Sequence, residues 1–239
     1  MKGLFVLGTF AVWAVSSASI GAENGRAGAG ATPRVLPPIQ VAVFAPPDIR
    51  QSLVNRVFAE VEAIWGPTGI VFDWHLITGT GAVHGEHLDV TIDGPEDGSV
   101  MHPGALGWIA FTADVPESCI HLSRARAEAL IRGTSDLGDY TVATHEMLLG
   151  RALGRALSHE LGHYLLQSKA HTRRGLMRAA WPSRQIFSFN RGGFELSAEQ
   201  REAAARHVQQ DERTRADLNE DRPLVETRGL GTRTQPNIS

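Results

Sequence analysis

The chain reads as an α+β protein: a mixed, twisted sheet of about five strands, one long central helix and a further helix near the C-terminal end. Three observations predict this. Short apolar runs of strand length (39–44, 70–74, 88–92, 105–111 and 118–122) recur through the first half, separated by Gly, Pro or polar residues. The first two runs flank a stretch in which Leu53, Val57, Val61, Ile64 and Trp65 fall at helical spacing, which predicts a strand–helix–strand crossover with its strands in one sheet. Then 142–167 carries Leu153, Leu157, Leu161, Tyr164 and Leu165 on one stripe, the pattern of a helix buried in the core.

In chain order, Met1-Lys2 and the apolar run 3–15, followed by small residues to Ala22, form the pattern of a secretory signal peptide over 1–22. The run is shorter than the roughly 20 residues a spanning helix needs, so no stable membrane insertion is expected after cleavage. The protein is therefore expected to be exported, either secreted or periplasmic. Residues 23–38, rich in Gly, Ala and Pro, read as a flexible leader. The domain proper is expected over 39–210. Its last helix opens with Ser197 as N-cap and Gln200 completing a capping box, and ends near Gln209. The polar, charged segment 211–239 reads as a disordered tail.

Composition narrows the function. A net charge of −3 with no basic run argues against a nucleic-acid partner. A single cysteine, Cys119, leaves an exported protein with no internal disulfide. In the central helix Gly150, Gly154, Ser158 and Gly162 fall every four residues. Each helical glycine costs about 1 kcal/mol against Ala, so close approach of a neighbouring element along that stripe is expected to offset them.

The same helix holds His159-Glu160-Leu161-Gly162-His163. Residues four apart project from one helical face one turn apart, so two imidazoles reach one Zn²⁺ while Glu160 can serve a water in the remaining position. The pattern is short and occurs by chance. Earlier in the helix, His145-Glu146 has an apolar Leu149 where a second ligand would stand, and reads as an ordinary helix face. His84-Gly85-Glu86-His87 reads as a solvated turn. A metal centre needs a third protein ligand. His171, eight residues after His163, is the nearest candidate; Glu195, Glu199 and Glu202 of the last helix region are the rivals.

The order of elements, the His-Glu-x-x-His helix, the downstream His171 and the run Gly175-Leu176-Met177 together resemble the metzincin superfamily of zinc metallopeptidases. The resemblance implies a single metzincin-like metallopeptidase domain with Zn²⁺ held by His159, His163 and His171. Glu160 would be the general base and Met177 a turn residue forming an apolar floor. A peptide or protein substrate would pair with the edge strand around Gly107, Trp108, Ile109 and Ala110. The sequence departs from the family pattern at Leu166 and Lys169, where a glycine and the third histidine usually stand; His171 lies two residues further on. Two other functions share the motif: a secreted, non-catalytic binding module stabilised by zinc, and a zinc hydrolase of a non-peptide substrate. Amino-terminal sequencing of the exported protein should find a start between Ser19 and Glu23; a start at Met1 would make the segment an anchor.

Overall fold

A computed structural model describes residues 4–6, 36–77, 87–92, 102, 104–134 and 141–220. Its main sheet has five strands: β2 (Ile39–Phe44), β3 (Phe72–Ile77), β4 (Leu88–Ile92), β5 (Gly107–Thr112) and β6 (Val115–Leu122), in the order β3-β2-β4-β6-β5. β2 runs parallel to both β3 and β4, and β4 parallel to β6. Only β5 is antiparallel, joined to β6 by a two-residue turn at Ala113-Asp114, both at positive φ. β5 thus forms an edge of the sheet, paired on one side. A separate antiparallel pair joins β1 (Leu4–Val6) to β7 (Ala180–Pro182).

Helix α1 (Gln51–Trp65) makes the expected crossover between β2 and β3. It begins after a turn in which Ile49 N–H donates to the Pro46 carbonyl, so Pro46 and Pro47 lie before the helix. Helix α2 (Arg124–Arg132) is capped by Ser123, whose side chain accepts from the Arg126 amide. Helix α3 (Val142–Leu165) is capped likewise by Thr141. Short α4 (Ser183–Phe187) and long α5 (Ala198–Glu220) follow.

The core lies between one face of the sheet (Val41, Val43, Val90, Ile120 and Leu122) and the helices α1 and α3. From Leu148 to His163 every residue of α3 is buried. The glycines explain how it fits. A Cβ on Gly150 would stand 2.6 Å from Arg56 Cβ, and one on Gly154 would stand 2.6 Å from Glu60 Cβ and 2.9 Å from the Val57 carbonyl. The stripe is therefore the contact line with α1, as close approach requires. At Gly162 the neighbour is different: the Met177 sulfur occupies the missing side chain's place.

The last helix differs from expectation. α5 continues to Glu220 instead of ending near Gln209, so residues 211–220 are helical and not part of a disordered tail. Asp211 and Arg215 pair at 3.0 Å across one turn, and Glu212, Arg213, Arg215 and Ala216 are good helix formers. Its polarity on all faces hid a helix. Residues 221–239, the leader residues 23–35 and most of the expected signal segment lie outside the described residues. So do 84–86 of the histidine-rich turn; the remaining His87 places Nε2 3.5 Å from Asp89.

Glycine-to-alanine scanning tests the α1–α3 contact. Gly154→Ala meets backbone and Cβ atoms that cannot swing away, and should cost about 1–3 kcal/mol. Gly66, with nothing within 4 Å of its Cβ position and an ordinary negative φ, should accept Ala with unchanged or slightly raised thermal stability. Equal melting temperatures for both variants would contradict this packing.

Candidate metal centre

His159 and His163 project from α3 one turn apart, and the chain beyond the helix returns to meet them. One nitrogen from each of His159, His163 and His171 lies within 4.8 Å of the others. The return is made without the glycine that the metzincin pattern places at Leu166. Instead Gln167 takes the left-handed conformation, at φ 48°, and its side chain donates to the Tyr164 carbonyl at 2.7 Å. Ser168 N–H then caps the His163 carbonyl at 3.2 Å. The two extra residues before His171 accommodate this wider turn, and Lys169 faces away to pair with Asp114 of the β5–β6 turn.

Backbone carbonyls fix the rings. His159 Nδ1 is 2.9 Å from the Leu176 carbonyl, and His163 Nδ1 is 2.7 Å from the Ser168 carbonyl. A carbonyl only accepts, so each Nδ1 carries the proton and each Nε2 presents a lone pair. Those two Nε2 atoms stand 3.1 Å apart, and the buried Nε2 of His171 has no hydrogen-bond partner. Converging lone pairs repel unless a cation lies among them. Three clustered imidazoles, two of them fixed by outward Nδ1–H bonds, fit a divalent ion of the zinc type.

Glu160 lies beside this cluster, with no exposed surface. Neither carboxylate oxygen has a hydrogen-bond partner. Burial drives its pKa well above the ordinary carboxylate range; the Ile109 amide opposes this without completing a hydrogen bond of normal geometry. Gly107 of β5 makes the room: a Cβ there would stand 3.3 Å from Glu160 Cγ and 3.0 Å from Leu122. Further along β5, the Phe111 ring stands edge-on to His163 with centroids 6.1 Å apart. Trp108 points to the opposite face, stacked on His121 at 5.0 Å.

Met177 is buried against Gly162, between the two histidines of the helix. The turn that carries it uses Gly175 at φ 80°, where a Cβ would meet the Glu195 carbonyl at 2.6 Å, and Leu176 N–H donates to that carbonyl at 2.8 Å. The rival carboxylates lie elsewhere. Glu195 is exposed and contributes only its backbone, Glu199 accepts from Ser197 at 2.7 Å, and Glu202 pairs loosely with Arg206. His145 is not in the cluster either. The roles of Leu176 and Ser168 are not legible in the sequence, because carbonyls carry no side-chain signal, and neither are the contact of Phe111 with His163 or the part of Arg155. Arg155 left a trace: a charge inside a helix that reads as buried, one turn before His159 on the same face.

Among the described residues no helix is long and apolar enough to cross a membrane. No protein-family model and no curated protein matches the chain. Among solved structures it is similar to an archaemetzincin from Methanopyrus kandleri, at 14% identity over 72% of this chain and 96% of that one, with a TM-score of 0.44.

Burial also acts on the histidines. It lowers His159 well below the usual imidazole value, takes His163 to about 4, and lowers His171. A His depressed in the folded state contributes stability present above its unfolded value and lost as pH falls. Glu160 has the opposite sign: its contribution is present below the unfolded carboxylate value and lost as pH rises. In chelator-treated protein, the stability advantage of the parent over His163→Asn should therefore shrink between about pH 6.5 and about pH 4. Over the same range Glu160→Gln should gain on the parent as pH rises. Thermal melts at stepped pH check both trends, and parallel curves would remove the burial argument.

Proposed function

We propose that the protein is an exported, zinc-dependent endopeptidase, with His159, His163 and His171 as metal ligands and Glu160 as general base. What carries this reading is one juxtaposition: three converging imidazole lone pairs beside a buried carboxylate with no partner of its own. A site built only to hold a structural ion has no use for that carboxylate.

Bound zinc would supply a Lewis acid and a water acidified from a pKa of about 15.7 towards about 7. The residues do the rest. His159 and His163, locked by the Leu176 and Ser168 carbonyls, stay neutral and aimed, so no reorientation is needed for ion binding. Glu160 holds the attacking water, accepts its proton at a carboxylate oxygen as the carbonyl is attacked, and returns it to the leaving amine. A carboxylate raised towards neutrality by burial is the better matched for both transfers. Met177, packed on Gly162, would be the apolar floor.

β5 supplies the binding surface. Among the described residues it is paired only with β6, so the backbone groups of Gly107, Trp108, Ile109 and Ala110 that face outward can take an extended peptide as an added strand. Its first residues lie against Glu160 and its last against His163. A peptide laid along it therefore has its backbone passing the centre.

The test uses purified full-length protein. It should contain about one zinc per chain and degrade an unfolded protein in a chelator-sensitive way. Glu160→Gln should keep its zinc and lose about 10²–10⁴-fold in activity. His171→Ala should lose zinc, while Glu199→Ala should keep it. Bound zinc without chelator-sensitive degradation in the parent would leave a non-catalytic zinc module or a non-peptide substrate, and retained activity in Glu160→Gln would overturn its role as general base; zinc retained in His171→Ala and lost in Glu195→Ala or Glu199→Ala would overturn the ligand set.

A further inference from the structure

We infer that Arg155 is a positioning residue for the His159 imidazole: its buried guanidinium clamps the 185–194 segment, and that segment holds the carbonyl that orients the ring. The inference rests on the metal-centre reading and deepens it. Arg155 stands one turn before His159 on the same face of α3, with no exposed surface. A charge so placed is costly unless every donor is met. Here all are. Nε donates to Glu60 at 2.8 Å; Nη1 donates to the carbonyls of Gln185 and, at 3.2 Å, Ile186. Nη2 donates to those of Ser188 at 2.8 Å and Asn190 at 3.3 Å. One rigid fork thus holds two carbonyls of α4 and two of the loop after it, and fixes how that loop leaves the helix.

The route to the ring is short. The Arg155 guanidinium lies 4.4 Å over the Phe194 ring, which stacks on Trp181 at 4.1 Å. The next residue, Glu195, offers its carbonyl to Leu176 N–H at 2.8 Å, and the Leu176 carbonyl accepts from His159 Nδ1 at 2.9 Å. Gly175 has no slack, because its Cβ position is 2.6 Å from the same Glu195 carbonyl. A shift of 185–194 thus moves the acceptor that decides which nitrogen of His159 carries the proton. Glu60, held from the other side by Arg191 at 2.8 Å, anchors the clamp to α1.

Arg155→Lys keeps charge and length but lacks the planar fork. It should weaken zinc binding roughly tenfold, the scale of outer-partner losses, measured against a chromophoric chelator. In metal-free protein, ¹⁵N spectra of the His159 ring should change from one tautomer to a mixture. Phe194→Leu, which leaves all four carbonyl bonds, should shift both readouts in the same direction by less. Val57→Ala, a core truncation on α1, should lower the melting temperature and leave both unchanged. The inference is overturned if folded Arg155→Lys binds zinc within twofold of the parent with His159 in one tautomer, or if Val57→Ala moves both readouts equally. Should Arg155→Lys not fold, Phe194→Leu decides by the same criteria. A parent that binds no zinc overturns the metal reading, and the ring spectra of the metal-free variants still decide the role of Arg155.

Discussion

The two bonds from histidine Nδ1 to the carbonyls of Leu176 and Ser168 set the terms for the rest of the molecule. They turn two lone pairs towards each other across 3.1 Å, an arrangement that a protein without a cation has reason to avoid. Holding it requires both acceptors to be fixed. Ser168 is fixed by the left-handed turn at Gln167, Leu176 by the Gly175 turn and its bond to Glu195. Neither acceptor belongs to the helix that carries the rings, so the centre exists only when the chain after α3 is in place.

That requirement explains why α3 is buried along most of its length and yet so polar inside. Arg151, Arg155, Ser158, His159, Glu160 and His163 are all in the interior. Arg151 meets the Phe187 carbonyl at 2.7 Å, Ser158 the Gly154 carbonyl at 2.8 Å, and Arg155 its five oxygen acceptors. The glycine stripe and the buried ion pair belong to one device. Because Gly154 has no Cβ, Glu60 comes close enough for its carboxylate to reach the neighbouring Arg155. A tighter helix contact thereby becomes an anchor for the loop on the other side.

How much of this the sequence discloses follows from range. The His159–His163 spacing, the apolar face of α3 and the crossover α1 are local periodicities, and each is legible. Five strand runs are legible too, though their edges move: β3 begins at Phe72 rather than Ile70, and β6 at Val115. Strand order is not, because the pairing of β4 with β6 and the placement of β5 at the edge depend on contacts across many residues. The glycine stripe announces a close neighbour without naming α1 or Met177. The part of Arg155 is not read from the sequence at all, because its partner Glu60 lies 95 positions earlier. α5 beyond Gln209 is missed for another reason: a helix polar on every face has no apolar period to read.

One buried group breaks the rule that the others keep. Every other charged or imidazole side chain with no exposed surface in α3 has a protein partner, while both oxygens of Glu160 have none. A carboxylate in that position lowers stability, and replacing it by an apolar residue of similar size would remove the cost. Gly107 lets β5 lie close against it, since a Cβ there would crowd Glu160 Cγ, Leu122 and the His121 carbonyl. An unpartnered acid beside converging imidazole lone pairs is costly for a fold, and each group lacks what the chain does not give it: a donor such as water for the carboxylate, a cation for the lone pairs.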